Sequence, residues 1–227
     1  MKAIDKATAL KTKLDELLRS TGKTLGVDSR TRLSWNHHSN QLDGNSLTFS
    51  ETEALLNCGL TAASKPLEDH LKITGHDAAI TWILRLTQTG HNISEGFIRE
   101  LHSLMRSSPF QVKAITFDGK LASRWLPMHP FKTVANDIET DSGVTIRFAQ
   151  PREAAVRLNE LIVQHYTALT ESNINPIRLA ASFHYRFMRI SPFPSGNGAT
   201  ARMLMNLILM QFGYPLSSSK KRTKPTT

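Results

Sequence analysis

Residues 183–202 read Phe183-His184-Tyr185-Arg186-Phe187-Met188-Arg189-Ile190-Ser191-Pro192-Phe193-Pro194-Ser195-Gly196-Asn197-Gly198-Ala199-Thr200-Ala201-Arg202. The stretch lies between two helical patterns, and Pro194 stiffens its middle. Gly196-Asn197-Gly198 at a helix start forms a candidate anion nest. Two glycines let the backbone approach a phosphate, and the free N–H groups of the helix point at it. Arg202, one helical turn later, could add a bidentate phosphate contact. The same tripeptide also reads as a plain inter-helix turn. Local physics leaves both readings open.

Outward from this loop, most of the chain reads as helix. Ile4, Ala7, Leu10, Leu14, Leu17 and Leu18 recur at helical spacing and predict an amphipathic helix to about Ser20. A second helix is expected from Ser29 to Leu42, stopped at Asp43-Gly44-Asn45. Ser50 is the candidate cap of a third, through Leu56 and Cys58. Pro66 opens a fourth, and Ser94 caps a fifth carrying Phe97, Ile98, Leu101, Leu104 and Met105. Residues 109–150 differ. Val112 to Ile115 and then Asp118-Gly119 suggest a turn between short extended pieces. Ile138-Glu139-Thr140, Asp141-Ser142-Gly143 and Val144 to Phe148 read as a β-hairpin. Pro151 opens a helix to about Thr170, and Pro176 another through Phe187. The last runs from Asn197 to about Phe212, stopped by Gly213 and Pro215.

With 227 residues, 40% of them hydrophobic and 21% charged, the chain is globular and not disordered. The net charge is +9, but Lys220, Lys221, Arg222 and Lys224 of the tail hold four of those charges. The mild remaining excess suits an anionic partner without demanding one. The single cysteine, Cys58, excludes an intramolecular disulfide and a zinc site of several thiolates, and fits a reducing, cytoplasmic setting. The charged start reads as no signal peptide. The longest apolar stretch, Met203 to Met210, is too short for a membrane span.

The loop resembles the signature of the Fic domain family, His-Pro-Phe-x-Asp/Glu-Gly-Asn-Gly-Arg-x-x-Arg. In that family a His-x-x-Phe helix precedes the loop, and an apolar helix ending in Gly-Tyr-Pro follows it. Here His184, Phe187, Pro192, Phe193, Gly196 to Gly198, Arg202 and Gly213-Tyr214-Pro215 match. Ser39 to Asn45 resembles the family's inhibitory motif, Ser/Thr-x-x-x-Glu-Gly/Asn, with Asp43 at the acidic position. Phe131 to Asn136 and Gly143 to Phe148 resemble its target-docking flap, with Asn136, Ile138, Val144 and Ile146 as docking residues. The resemblance covers about residues 30–215.

It implies a mostly α fold, a Fic-type helical bundle with a small β-hairpin flap. The expected organisation is N-terminal helices with the inhibitory motif over 1–65, a core over 66–215 and a basic tail over 216–227. That tail stands where the family continues into further helix. The implied activity is transfer of AMP from ATP to a protein hydroxyl. The loop His acts as general base, the acidic residue holds Mg²⁺, the Gly-Asn-Gly backbone cradles the phosphates, and two arginines bind them. On the inhibitory helix, the acidic residue pairs with the second arginine and keeps the γ-phosphate out. Here that pair is Asp43 and Arg202. With Asp one methylene shorter than Glu, it is expected longer, water-bridged or closed by a helix sitting nearer. Leu33, Leu42 and Trp35 should dock that helix on the core. The plainer reading is that Asp43 only ends the helix.

Three positions depart from the motif. Ser191 replaces the His, Ser195 the acidic residue and Ala199 the first Arg. Serine does not titrate near neutral pH and cannot serve as that base. Its hydroxyl is a poorer Mg²⁺ ligand than a carboxylate. Losing the base alone costs about 10²–10⁴-fold in rate. The expectation is an impaired adenylyltransferase that keeps weak ATP binding at Gly196, Asn197, Gly198 and Arg202, without Mg²⁺. The alternative is a non-catalytic module holding a nucleotide or peptide. An unidentified target protein would dock on the hairpin. No membrane is expected as partner, and nucleic acid rests on charge alone.

Other candidates carry plainer readings. His184 and His102 read as helix-packing histidines. His37 and His38 should diverge on their helix, against a shared metal. His76 beside Asp77 reads as solvated or capping. Trp35, Trp82 and Trp125 read as core or groove fillers, and Cys58 as a buried small apolar residue. Lys220-Lys221-Arg222 read as a solvated tail.

Overall fold

The computed structural model describes residues 3–23, 25–90, 92–106, 111–115, 121–125, 131–140, 142–171 and 174–218. Among them are eight helices: α1 (Ala3–Thr21), α2 (Ser29–Leu42), α3 (Phe49–Cys58), α4 (Leu67–Thr89), α5 (Glu95–Arg106), α6 (Pro151–Leu169), α7 (Pro176–Ile190) and α8 (Asn197–Gln211). Two antiparallel ribbons lie between α5 and α6. β1 (Gln111–Ile115) pairs with β2 (Leu121–Trp125), and β3 (Ile138–Glu139) with β4 (Thr145–Ile146). The fold is therefore mostly α with a small hairpin, as expected. The Asp118-Gly119 turn, Asp141 and the Lys220 to Arg222 run lie outside the described residues, as does the side chain of Trp125.

The centre is α8. Its residues Ala201, Met203, Leu204, Leu207 and Ile208 are all fully buried. A helix apolar on nearly every side belongs inside a bundle. It packs on α7, α4 and α5, and α2 crosses it as well. Phe183 and Phe187 of α7, Ile80 and Ile83 of α4, Ile98 and Leu101 of α5 and Leu158 of α6 complete one core, which also takes in Trp35 of α2. A satellite cluster of Leu47, Leu55 and Ile73 holds α3 against α4.

Several local expectations are corrected. The cap of α3 is Thr48, not Ser50. Thr48 and Glu51 exchange side-chain-to-backbone hydrogen bonds in a capping box. The α7 helix runs past Phe187 to Ile190. The hairpin is two residues a side, because Thr140 Oγ1 accepts from the Val144 N–H and draws Val144 into the turn. α1 buries no side chain, and its Leu10 and Leu17 stay exposed. Cys58 is exposed at the end of α3. His37 and His38 do not diverge: their rings meet edge-on at 5.1 Å, and His37 also meets the Phe49 ring. His76 is not solvated but enclosed, while its neighbour Asp77 pairs with Arg32 of α2. Among the described residues no helix is long and apolar enough to cross a membrane.

Candidate active site

The loop between α7 and α8 is built by its own turns and by side chains from elsewhere. α7 ends when Ser191 takes the left-handed conformation, φ 46° and ψ 61°, with its N–H on the Phe187 carbonyl at 2.8 Å. A non-glycine residue there stores about 1–3 kcal/mol, so the surroundings must hold it. Asn136 does so. Its Nδ2 donates to Ser191 O, Ser191 Oγ and Phe193 O at 3.2, 3.0 and 3.0 Å. Lys132 holds Asn136 in turn: its Nζ donates to Asn136 Oδ1 at 2.7 Å and to Ile190 O at 3.1 Å, and its backbone N–H to Pro192 O. Lys132 is only 3% exposed, and burial pushes its ammonium below the usual lysine range. Phe193 stacks on His102, ring centroids 3.8 Å apart, and His102 Nε2 donates to Ser195 O at 2.8 Å. Asn197 closes the loop on itself, its amide bonding the N–H and the carbonyl of Phe193.

Gly196 begins α8 at φ 75°, a conformation that favours glycine. At Gly198 space is tight. A Cβ there would lie 3.0 Å from both Arg202 Nη1 and Asp43 Oδ1. Arg202 thus curls back over the first turn of α8 and meets α2. Its Nη2 lies 2.9 Å from Asp43 Oδ1, and its Nε and Nη2 donate to Ser39 Oγ and Ser39 O. The Asp43–Arg202 pair is direct, not water-bridged. Asp43 also caps the C-terminus of α2, so the terminator reading and the pairing both describe it. Of the residues expected to dock α2, Trp35 and Leu33 are buried, whereas Leu42 is 39% exposed.

A cleft of about 360 Å³ opens beside this turn. Ser195, Gly196, Gly198 and Ala199 form one wall, Asn40 and Asp43 at the end of α2 a second, and Glu68, Lys72, His76, His102, Met105 and Arg106 of α4 and α5 the rest. His76 is 2% exposed with neither ring nitrogen hydrogen-bonded, and burial, helped by the Arg202 charge, pushes its pKa down to about 3. It is therefore neutral. His184, on α7, is also held below the usual imidazole range, first by burial and then by Arg202.

The sequence-predicted residues thus divide. Gly196, Asn197, Gly198, Arg202 and Asp43 come together. Ser191 is buried, its hydroxyl tied to Asn136, while Ser195 is exposed. Ile138, Val144 and Ile146 stand exposed on the hairpin, but Asn136 points back to clamp the loop. Lys132 and His76 were missed as members of the site. Lys132 had a signal in the Phe131-Lys132-Thr133 segment; nothing local marked His76.

The profile of the Fic/DOC family matches residues 92–209, and the chain belongs to that family. Its relatives are enzymes by name. Protein adenylyltransferase fic-1 of Caenorhabditis briggsae is 29% identical over 181 residues, covering 79% of this chain and 32% of the relative. Protein adenylyltransferase Fic of Nematostella vectensis is 28% identical over 182 residues, covering 79% and 38%. The chain spans about a third of the length of these curated relatives. A Fic-domain-containing signaling protein from Bacteroides thetaiotaomicron superposes with a TM-score of 0.76 at 27% identity, covering 96% of this chain and 76% of that one. Fic-1 of Caenorhabditis elegans, at 24% identity and a TM-score of 0.69 over 95% of this chain and 58% of its own, shares the fold.

Proposed function

We propose that this chain is a catalytically impaired Fic protein that binds ATP at the first turn of α8 with little or no transfer of AMP. The observation that carries this is a glycine-bounded helix-start turn of the kind that suits a phosphate, surrounded by substituted side chains. Gly196, Asn197 and Gly198 are folded as a helix-start turn with Arg202 above them. The positions for base, metal ligand and first arginine hold Ser191, Ser195 and Ala199. Two carboxylates line the cleft, Asp43 and Glu68, and each is paired with a cation, Arg202 and Lys72 respectively. With a neutral hydroxyl at 195, the donor set does not fit Mg²⁺, and nucleotide binding is read as metal-independent. Asp43 is the inhibitory residue, because its carboxylate stands where a phosphate on Arg202 would go. The exposed Ile138, Val144 and Ile146 suit docking of an extended protein segment on the hairpin. A cytoplasmic setting fits the exposed thiol of Cys58.

The test is calorimetry of ATP binding with EDTA and with Mg²⁺, beside transfer of label from ATP to lysate proteins. Weak binding that Mg²⁺ does not strengthen, with no label transfer, is expected. Ser191→His, Ser195→Asp and Ala199→Arg together should restore transfer. Robust label transfer by the unaltered chain, abolished by substitution at Gly198, would overturn the reading.

A further inference from the structure

The cleft holds two cations that belong to no part of the loop motif. Arg106 ends α5 against the turn itself: a Cβ added to Gly196 would lie 3.3 Å from Arg106 Cδ. Lys72 reaches the same cleft from α4. The nearest carboxylate to each is an exposed one. Both face Glu68, whose carboxylate lies 3.0 Å from Lys72 Nζ and 3.8 Å from Arg106 Nη2. The Glu68 side chain is 66% exposed, and its carboxyl is held below the usual range, first by the hydrogen bond and charge of Lys72 and, after an opposing effect of burial, by Arg106. Lys72 also has Asp69 Oδ1 at 3.8 Å, the longer of its two contacts, in a carboxylate whose Oδ2 accepts from the N–H and hydroxyl of Ser46.

A helix start alone does not make a ligand site. Here a second feature points the same way. His76, 2% exposed, forms part of the cleft wall with two unpartnered ring nitrogens. A polar group so enclosed normally finds a hydrogen-bond partner. A ligand oxygen that draws this enclosed ring toward the cleft would give it one.

We propose that Lys72 and Arg106 form, with the first turn of α8, a phosphate subsite for a polyphosphate chain, and that Glu68 occupies it as an internal anion in the free protein. The proposal rests on the reading of this turn as a nucleotide site and deepens it: Arg106 supplies from α5 the charge that Ala199 does not. The free protein then carries two carboxylates in place of ligand, Asp43 on Arg202 and Glu68 on Lys72 and Arg106. They differ in grip. Asp43 is backed by a guanidinium that Ser39 holds in place, whereas Glu68 is an exposed side chain of the kind whose ion pairs are weak. Glu68 is thus the carboxylate more readily displaced.

The experiment is calorimetry on the full chain with EDTA, using inorganic tripolyphosphate, ATP and AMP as probes. Glu68→Gln should tighten tripolyphosphate and ATP about two- to fivefold by removing the competing charge. Lys72→Ala with Arg106→Ala should weaken both about tenfold or more and leave AMP, which lacks the chain, unchanged. The gain in Glu68→Gln cannot arise from a folding defect. If tripolyphosphate and ATP bind through Arg202 but ignore substitutions at 68, 72 and 106, this proposal falls and the nucleotide reading stands. If neither probe binds the unaltered chain or Asp43→Ala, both fall.

Discussion

Replacing Asp43 by Ala separates the two things this residue does. The pair it makes with Arg202 is direct, at 2.9 Å, with side-chain exposures of 34% for Asp43 and 12% for Arg202. Breaking a fully buried pair costs about 3–5 kcal/mol and an exposed one about 0–1. Here Arg202 keeps both contacts to Ser39, and water can follow the lost carboxylate. Asp43 also sits at the C-terminus of α2, where the helix dipole disfavours an anion by about 0.3–1 kcal/mol. The net loss is therefore about 1–2 kcal/mol, a fall in Tm of roughly 2–8 °C for a chain of this size. Any ligand phosphate that must displace Asp43 from Arg202 gains what the pair was worth, so ATP should bind about 5- to 30-fold more tightly. Thermal melts without ligand and ATP calorimetry measure the two halves. Asp43→Ala with Arg202→Ala should lose the affinity gain. A lower Tm with unchanged ATP affinity would refute the inhibitory role and leave Asp43 a helix terminator.

Asn136→Ala removes three hydrogen bonds from a strained loop and leaves Lys132 Nζ with one carbonyl acceptor. A loss of about 2–3 kcal/mol in denaturant unfolding is expected, with faster amide exchange at Ser191 and Phe193; stability within about 0.5 kcal/mol of the parent would refute the clamp. His76 tests the enclosed wall. Its folded pKa, about 3, lies below the ordinary 6.5, so the unfolded state takes up its proton first. Its effect on stability is nil above pH 6.5 and increasingly unfavourable as pH falls from 6.5 toward 3. The parent should therefore lose up to about 1.4 kcal/mol per pH unit more than His76→Met across pH 6 to 4, and equal slopes would refute it.

The sequence alone determined the helices and the loop. Apolar periodicity and local stops such as Asp43-Gly44, Pro151, Pro176 and Gly213 act within a few residues, so α2, α6 and α8 stand within a residue or so of where they were expected. The Gly196-Asn197-Gly198 turn was legible as a helix start from its glycines, whereas the three substituted positions were legible only through the resemblance to the Fic motif. Tertiary structure decided what lies across the cleft. His76 is adjacent in sequence to Asp77, which pairs with Arg32 at the surface of α2, yet its own ring is enclosed edge-on against Trp35. Asn136 and Ser191 are 55 residues apart, and no local pattern shows that one clamps the other. Asp43 and Arg202 could be paired in advance only by resemblance. Their 2.9 Å separation follows from how α2 crosses α8, a long-range packing outcome that side-chain length alone does not set.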